Sequence, residues 1–138
     1  MEQQLFLRKI YLKNISYEAF DTPQKLFSGI TINPNLDLNF SYSKVGENIY
    51  ELVMESNIIG KDNNNEDVYK IKVIKGGIFE INGSEEEIET CLNVNCTSIL
   101  FPYLRQEVDN IVHYSGYPPF YIQPISFYEI YQNKKAKN

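Results

Sequence analysis

The residues that could carry out catalysis or hold a metal ion are few, and their spacing does not suit either task. The chain has one histidine, His113, and two cysteines, Cys91 and Cys96, which are five positions apart. A single histidine excludes a three-histidine metal site and disfavours a nucleophile–histidine–carboxylate triad. A zinc site built from these three residues would lack both a standard spacing and a fourth ligand. We therefore predict a protein that is not an enzyme and uses no metal or cofactor.

The remaining motifs with possible chemistry have simpler structural explanations. Four glutamates at 85–87 and 89 follow Ser84 in a capping-box pattern, which favours a solvated helix start over a catalytic cluster. Gly76 and Gly77 lack the lysine and helix that follow a phosphate-binding loop. The two cysteines are too few for a disulfide framework, so we expect reduced thiols packed in a core.

The strongest candidate for a functional segment is a loop crowded with aromatic residues and prolines, starting at Tyr117. One interpretation is that this loop crosses the domain and fills a small core of its own. The other is a preformed apolar groove between the loop and the last helix, because prolines stiffen such a wall and aromatic rings accept many side chains. The sequence balances the two interpretations. The residues predicted to line the groove are Tyr117, Phe120, Ile122, Phe127, Tyr128 and Tyr131.

The elements that would position this segment begin with strands, which occupy the first 82 residues. Residues 5–18 are apolar with irregular alternation, which predicts one long strand containing one or two β-bulges. Clean alternation of apolar and polar residues predicts three more strands, at 36–42, 50–55 and 69–81. Gly76-Gly77 indicates a bulge or a close backbone approach in the last of them. Polar stretches predict the turns, at 33–35, 46–48 and 60–66.

The pattern changes to helical after Gly83. We predict a first helix that ends near Asn93 and a second, longer one capped by Thr97 or Ser98 and stopped by Gly116. A short helix follows Ser126. The fold class is therefore α+β: a four-stranded antiparallel sheet with a long helix packed on one face and a short C-terminal helix. We expect one domain over residues 1–133 and a basic, disordered tail at 134–138.

One helix can cover only part of a sheet face, so apolar area should remain exposed in a single subunit. Uncovered apolar surface costs about 25 cal/mol per Å², so we predict that the subunit associates with copies of itself.

Charge and hydropathy exclude several classes of protein. The net charge is −5, and because three of the 13 basic residues lie at 134–137, residues 1–133 carry 10 basic against 18 acidic groups. An acidic body disfavours nucleic-acid binding. No run approaches the roughly 20 apolar residues of a membrane span, and the N-terminus lacks the pattern of a secretion signal. We expect a cytoplasmic protein that does not insert into membranes.

Four runs of the sequence together resemble the SecB family of bacterial export chaperones. They are IYLKNISYEAF (10–20), GGIFEINGSE (76–85), CLNVNCTSILFPYLRQEV (91–108) and GYPPFYIQPISFYEIY (116–131). The resemblance implies a sheet with helices on one face, assembled as a dimer of dimers, a homotetramer. In that assembly the apolar stripe of the long helix would supply the oligomer interface, through Ile99, Tyr103, Leu104, Val108, Ile111 and Val112. It also implies ATP-independent binding of unfolded precursor polypeptides in the groove and their delivery to the SecA translocase motor.

The chain departs from the family at the positions that the resemblance assigns to SecA docking. Asn14 and Lys72 stand where the family usually has acidic residues, and Phe20 stands where it has proline, whereas Glu18 keeps its acidic character. Our leading hypothesis is a holdase that keeps precursors competent for export. The alternative is a SecB-like chaperone dedicated to an antitoxin or another single client. A third class, a small-molecule binder, would need an enclosed cavity with a few polar groups.

Overall fold

The computed structural model describes residues 4–20 and 22–137, which form one antiparallel sheet covered by helices on one side. The strands are β1 (Gln4–Ala19), β2 (Asn33–Gly46), β3 (Ile49–Lys61) and β4 (Asp67–Asn82). The helices are α1 (Gln24–Phe27), α2 (Glu85–Thr90), α3 (Thr97–Ser115) and α4 (Phe127–Ala136), and a π-helical segment (Cys91–Cys96) joins α2 to α3. The predicted α+β class and four-stranded sheet are confirmed.

The strand order is β1-β4-β3-β2, so the first two strands in the chain form the two edges of the sheet. β1 pairs with β4 along its whole length, with register shifts between Leu7 and Lys9 and between Leu12 and Asn14. These are the two bulges that the irregular alternation predicted. The extra residues project basic side chains across the sheet, where Arg8 pairs with Glu80 and Lys13 with Glu51.

The inner face of the sheet, which we define as the face that carries the helices, holds the core. Its central rows are Leu52, Met54 and Ile58 of β3 and Ile71 and Val73 of β4, all 0–2% exposed. Against them pack buried residues of the helical layer: Leu92, Leu100, Leu104, Val108 and Val112. Most of the alternating residues of β3 and β4 that point to the outer face are only partly buried. The period-two pattern thus selects the face that the long helix covers.

The predicted break between two helices is wrong. Residues 85–115 form one continuous helical stretch, in which the π-helical segment Cys91–Cys96 links the flanking α-helices without a turn. Thr97 is not an N-cap: its hydroxyl donates to the Asn93 carbonyl oxygen at 2.6 Å, within the helix. Pro102 is exposed within α3. We refer to residues 85–115 as the long helix.

The π-helical segment places the two cysteines of the chain against each other. Neither is part of a disulfide, both are 0% exposed, and their five-residue separation matches one π turn. The side-chain hydrogen bond with Cys91, together with burial, raises the pKa of the Cys96 thiol. Packed, reduced thiols were the sequence prediction, and these cysteines have the environment of inert core residues.

Capping residues define the ends of the helices. Ser84 and Glu87 form the predicted capping box, and the Ser126 hydroxyl accepts from the Glu129 amide. Gly116 ends the long helix with φ 84°, a conformation that favours glycine. The expected disordered tail at 134–138 is corrected in part, because α4 continues through Lys134 and Lys135 to Ala136. Cations in a last helical turn interact favourably with the helix dipole.

Two of the predicted turns differ from the structure. The segment 33–35 belongs to β2, whose edge position tolerates a proline that lacks an amide hydrogen. Before it lies α1, a single turn that the sequence pattern did not reveal. The ammonium of Lys25 in α1 is 2.7 Å from Asp62. Asp62 is buried at the β3–β4 hairpin, in a segment predicted to be a polar turn. The Lys25 hydrogen bond and backbone amides hold the pKa of its carboxyl group below the ordinary value.

Gly60 lies in β3 beneath a buried tyrosine ring, although the sequence placed it in a turn. A β-carbon at this position would lie 2.7 Å from the ring of Tyr69. That ring is 0% exposed and is held between Tyr17 and Tyr117, with centroid distances of 5.8 and 5.6 Å. Burial raises the pKa of Tyr69 to about 12.

We predict that Gly60→Ala lowers the free energy of unfolding by about 1–3 kcal/mol, because the confined Tyr69 ring cannot move aside. Gly46→Ala is the matched control, since a β-carbon there meets only Ile49, at 3.5 Å, and should change stability by no more than about 0.5 kcal/mol. Urea unfolding followed by circular dichroism measures both. Equal stabilities for the two variants would contradict this packing.

Candidate functional site

The inner face of β2 remains partly open because the long helix packs over β3 and β4. Leu36 and Tyr42 are 39% and 38% exposed, whereas their partners across the strand pair, Ile58 and Leu52, are buried. The alternation of β2 places Leu36, Leu38, Phe40 and Tyr42 in one row on this face. This row is the floor of a groove that is walled on its other side by the loop after Gly116 and by α4.

The groove begins in an apolar cavity of about 300 Å³ between β2 and the loop. Pro34 and Leu36 contribute one side, and Phe120, Ile122 and Ile125 contribute the other. Tyr121 also lines this cavity and is 74% exposed, so its ring stands at the groove mouth. A nearly fully exposed ring beside apolar walls is suited to contact with an apolar side chain from another molecule.

The middle of the groove is a cavity of about 240 Å³ between β2 and α4. Phe40 packs edge-on against Phe127, with ring centroids 6.2 Å apart, and separates this cavity from the core. The polar side chains of Tyr42, Asn93 and Lys134 also line it. The central cavity is therefore more polar than the first one.

A third cavity of about 300 Å³ continues beyond Tyr42, which lines both of the last two cavities. Its apolar lining comes from Tyr50, Ile88 and Leu92. Two carboxylates, Glu85 and Glu89, stand at its rim. The three cavities together follow the inner face of β2 from Pro34 to Tyr42, a length of about 25–30 Å at 3.3 Å per residue.

The structure brings four of the six predicted groove residues to the groove: Phe120 and Ile122 line the first cavity, and Phe127 and Tyr131 line the second. Tyr117, which packs against Tyr69, and Tyr128 line none of the three cavities. Tyr117, Ile122, Phe127 and Tyr131 are 3–7% exposed and belong to the buried part of the domain. Phe120 is half-buried and Tyr128 is exposed. The loop thus does both things that the sequence left open: it fills a core with one set of rings and borders a groove with another.

The floor of the groove is the part that sequence reasoning missed. Leu36, Leu38, Phe40 and Tyr42 were predicted as one face of a strand, without a site role. Their alternation was a usable signal, but which strand the helix would leave open depends on strand order. That order places β2 at an edge.

The stripe predicted as an oligomer interface packs mostly within the subunit. Leu104, Val108, Ile111 and Val112 are 0–7% exposed against the chain's own sheet, and Ile99 is half-buried. Of the six predicted residues only Tyr103, at 47%, is exposed. A helical stripe indicates that a face is covered, and here the inner face of the sheet covers it, so this assignment is corrected.

The three residues predicted for docking lie on the outer face of the sheet, at one end. Asn14 and Glu18 of β1 stand on either side of Ser16, which pairs directly with Lys72 of β4. A shallow cavity of about 420 Å³ lies here, lined by Ser16, Glu18, Lys70, Lys72, Asn57 and Ile59 among others. Within the described residues, no carboxylate lies within 4.0 Å of the Lys72 ammonium.

Neither a metal site nor a membrane-spanning helix is found in the described part of the chain. Across residues 4–20 and 22–137, no three His, Cys, Asp or Glu side chains are grouped so that they could hold a metal ion. No helix in the same part of the chain has the length and apolar character needed to cross a membrane.

Comparison with known proteins identifies the family. The sequence model of the family described as "Preprotein translocase subunit SecB" matches residues 1–138. The chain belongs to the SecB family. A protein-export protein SecB of Chromohalobacter salexigens is 33% identical over 138 residues, covering 97% of this chain and 83% of the relative. Protein-export protein SecB 2 of Francisella tularensis subsp. novicida is 30% identical, covering 99% and 92%.

A solved structure shares the fold of this chain. A Mycobacterium tuberculosis SecB-like chaperone in complex with a ChAD peptide from the HigA1 antitoxin superposes with a TM-score of 0.73, at 15% identity. The alignment covers 88% of this chain and 91% of that one. Family membership and fold confirm the resemblance inferred from the four sequence runs, and with it the class of protein-export chaperones.

We predict that Phe127 and Tyr128, although adjacent and both aromatic, respond very differently to truncation. Phe127→Ala should lower the free energy of unfolding by about 3–5 kcal/mol, because a buried ring is lost. Tyr128→Ala should change it by less than about 0.5 kcal/mol, because the ring is exposed. Urea titration of both variants measures the difference, and a large loss for Tyr128→Ala would place that ring in the core.

Proposed function

We propose that this protein is an ATP-independent holdase that binds extended segments of unfolded precursor polypeptides in the groove along β2. The observation that carries the proposal is the open inner face of this edge strand, lined by apolar and aromatic side chains over about 25–30 Å. In a folded protein, an extended segment of that length is paired and packed within its own structure, so the groove favours unfolded chains. Binding only the unfolded state then shifts the client away from its folded form.

Two kinds of contact can hold such a segment. Apolar side chains of the client lose solvent exposure beside Leu36 and Tyr121, at about 25 cal/mol per Å² of buried area. In addition, β2 is an edge strand that pairs only with β3 in the described sheet. Its outward backbone groups can add a client strand by main-chain hydrogen bonds, which carry no sequence requirement.

Self-association would multiply the number of grooves available to one client. At the opposite edge, the inner face of β1 leaves Leu7, Leu12 and Ile15 each 42–43% exposed. A row of exposed apolar residues on an edge strand favours pairing with a second copy. We propose the dimer of dimers that the family resemblance implies, in which several weak sites hold one long client by avidity.

The outer face of the sheet is the proposed docking surface for the SecA motor, and release follows from transfer to that partner in the cytoplasm. Glu18 would supply an acidic contact there. Lys72 and Asn14, which replace acidic residues of the family, would weaken the attraction for a basic partner surface.

The second candidate is a chaperone dedicated to one antitoxin or another single client. The similar Mycobacterium tuberculosis fold, solved with an antitoxin peptide, and the altered docking residues favour it. An array of short peptides separates the two functions: many apolar and aromatic hits support the holdase, and a single hit supports the dedicated chaperone.

We predict that the double variant Leu36→Ser, Tyr121→Ser binds an unfolded client at least about tenfold more weakly, a loss of about 1.4 kcal/mol. Both side chains are exposed at the groove, so the fold should persist. Phe6→Ser is the matched control, because Phe6 is exposed on the outer face. Suppression of the aggregation of a slowly refolding protein measures the effect, and circular dichroism checks folding. Unchanged protection by the folded double variant would contradict the proposal.

A further inference from the structure

The central cavity of the groove differs chemically from the two cavities beside it. Its polar side chains, Tyr42, Asn93 and Lys134, come from β2, the π-helical segment and α4 respectively. The first cavity presents mainly Leu36 and the rings of the loop, and the third presents carboxylates. The polar groups in the middle are therefore candidates for recognising one feature of a bound segment.

Asn93 fixes the hydrogen-bonding role of Tyr42. Its side chain is 4% exposed, and its Nδ2 amide donates to the Tyr42 hydroxyl oxygen at 3.1 Å and to the Glu89 carbonyl oxygen at 2.9 Å. An amide nitrogen has two hydrogens, so both are used. Because the Tyr42 oxygen accepts one of them, the hydroxyl hydrogen of Tyr42 is left to donate to another group.

The π-helical segment explains how Asn93 comes to point at β2. Asn93 lies in the middle of the segment Cys91–Cys96, where the wider turn changes the direction of side chains relative to an α-helix. The nitrogen of the buried amide is held by two hydrogen bonds, one from each of its hydrogens. The amide holds the Tyr42 hydroxyl by a hydrogen bond from the helical layer, while Tyr42 itself remains 38% exposed to the groove.

Lys134 supplies a second donor on the opposite wall. It is exposed in the last turns of α4 and lines the same cavity as Tyr42. Within residues 4–20 and 22–137, no carboxylate lies within 4.0 Å of its ammonium group. The neighbouring Lys135 instead packs over the Tyr131 ring, 5.3 Å from its centroid. Lys134 is thus a cation facing the groove without an internal counter-ion.

We propose that the central cavity is a carboxylate-binding subsite, in which the Tyr42 hydroxyl and the Lys134 ammonium hold an acidic group of the bound segment. Two donors that line one cavity, one of them charged, favour an acceptor there, and a carboxylate gives the stronger, charge-assisted hydrogen bonds. This inference rests on the proposed function, because it names the side chain that the client groove prefers at its centre. The carboxylate belongs to an aspartate or glutamate, or to the end of a client chain.

The third cavity restricts the position of that acidic group. Glu85 and Glu89 line the groove beyond Tyr42 and would repel a second carboxylate there. On the other side, the first cavity offers apolar walls from Leu36 and Ile122. The preferred segment therefore has apolar or aromatic residues next to one acidic residue, and the acidic residue occupies the centre.

The test measures the binding of three fluorescent peptides to the full chain by fluorescence anisotropy. Two of them are 12 residues long, have identical apolar residues and differ only at the centre, where one carries aspartate and the other asparagine. The third peptide ends at that central position, so its free terminal carboxylate takes the place of the aspartate side chain. We expect the aspartate peptide to bind at least about fivefold more tightly than the asparagine peptide at low salt, with the difference reduced at 0.5 M NaCl because salt screens the pair.

Three variants identify the groups responsible. Lys134→Gln should abolish the preference for aspartate, so that the aspartate and asparagine peptides bind this variant with equal affinity. Tyr42→Phe should reduce the preference, because only the donating hydroxyl is removed. Lys137→Gln is the matched control, since Lys137 lies at the end of α4 and does not line the central cavity, and it should keep the preference.

The outcomes separate this subsite from the groove itself. Equal binding of the aspartate and asparagine peptides to the unmodified chain overturns the carboxylate subsite. A preference for aspartate that survives Lys134→Gln overturns it as well. Both results leave the holdase proposal standing. If neither peptide binds and an unfolded client is not protected, the groove proposal fails as well. Tighter binding of the third peptide than of the aspartate peptide supports the subsite and assigns it to a chain terminus.

Discussion

The structure depends on a mismatch of width between one helix and a four-stranded sheet. Four strands spaced about 4.8 Å apart place the two edge strands about 14 Å from each other, axis to axis, whereas a helix with its side chains is about 10–12 Å wide. The long helix therefore packs over β3 and β4, whose inner residues are 0–2% exposed, and leaves both edge strands with uncovered apolar residues. We call the uncovered apolar surface along each edge strand a strip. Each strip must be covered by another part of the chain, by a second copy or by a bound partner, and the two edges differ in which of these covers them.

At the β2 edge, the chain covers the strip only in part. The loop after Gly116 and helix α4 place Tyr117, Ile122 and Phe127 in the core and leave Tyr121 at the mouth of the groove. At the β1 edge, Leu7, Leu12 and Ile15 remain 42–43% exposed within the described part of the subunit. One strip is thus shaped as a groove for variable partners, and the other remains a flat apolar row suited to a second copy.

Much of this fold could be predicted from the sequence because its signals are local. The two bulges of β1 followed from the broken alternation of residues 5–18, and the Ser84 and Ser126 caps followed from their capping-box patterns. The continuity of the long helix could not be predicted, since a π turn interrupts the 3.6-residue period as a break would. The role of the stripe at Leu104 and Val108 was also hidden, because periodicity shows that a face is buried and not what buries it.

The candidate site was predictable in its composition but not in its geometry. The loop rings were identified, yet their division into buried supports such as Phe127 and exposed contacts such as Tyr121 depends on packing against Phe40 and Phe101. The polar centre formed by Tyr42, Asn93 and Lys134 joins residues up to 92 positions apart. Only the strand order and the π-helical segment bring them together.

Hydrogen exchange of the full chain, with and without an excess of an unfolded client, tests the central claim most directly. The account predicts slower amide exchange at residues 36–42 of β2 and 120–125 of the loop when the client is bound, because a chain in the groove covers both. The outer-face residues of β4, from Lys70 to Ile74, should exchange at unchanged rates. Protection confined to that outer face, with none along β2, would contradict the claim that the uncovered edge strand is the client site.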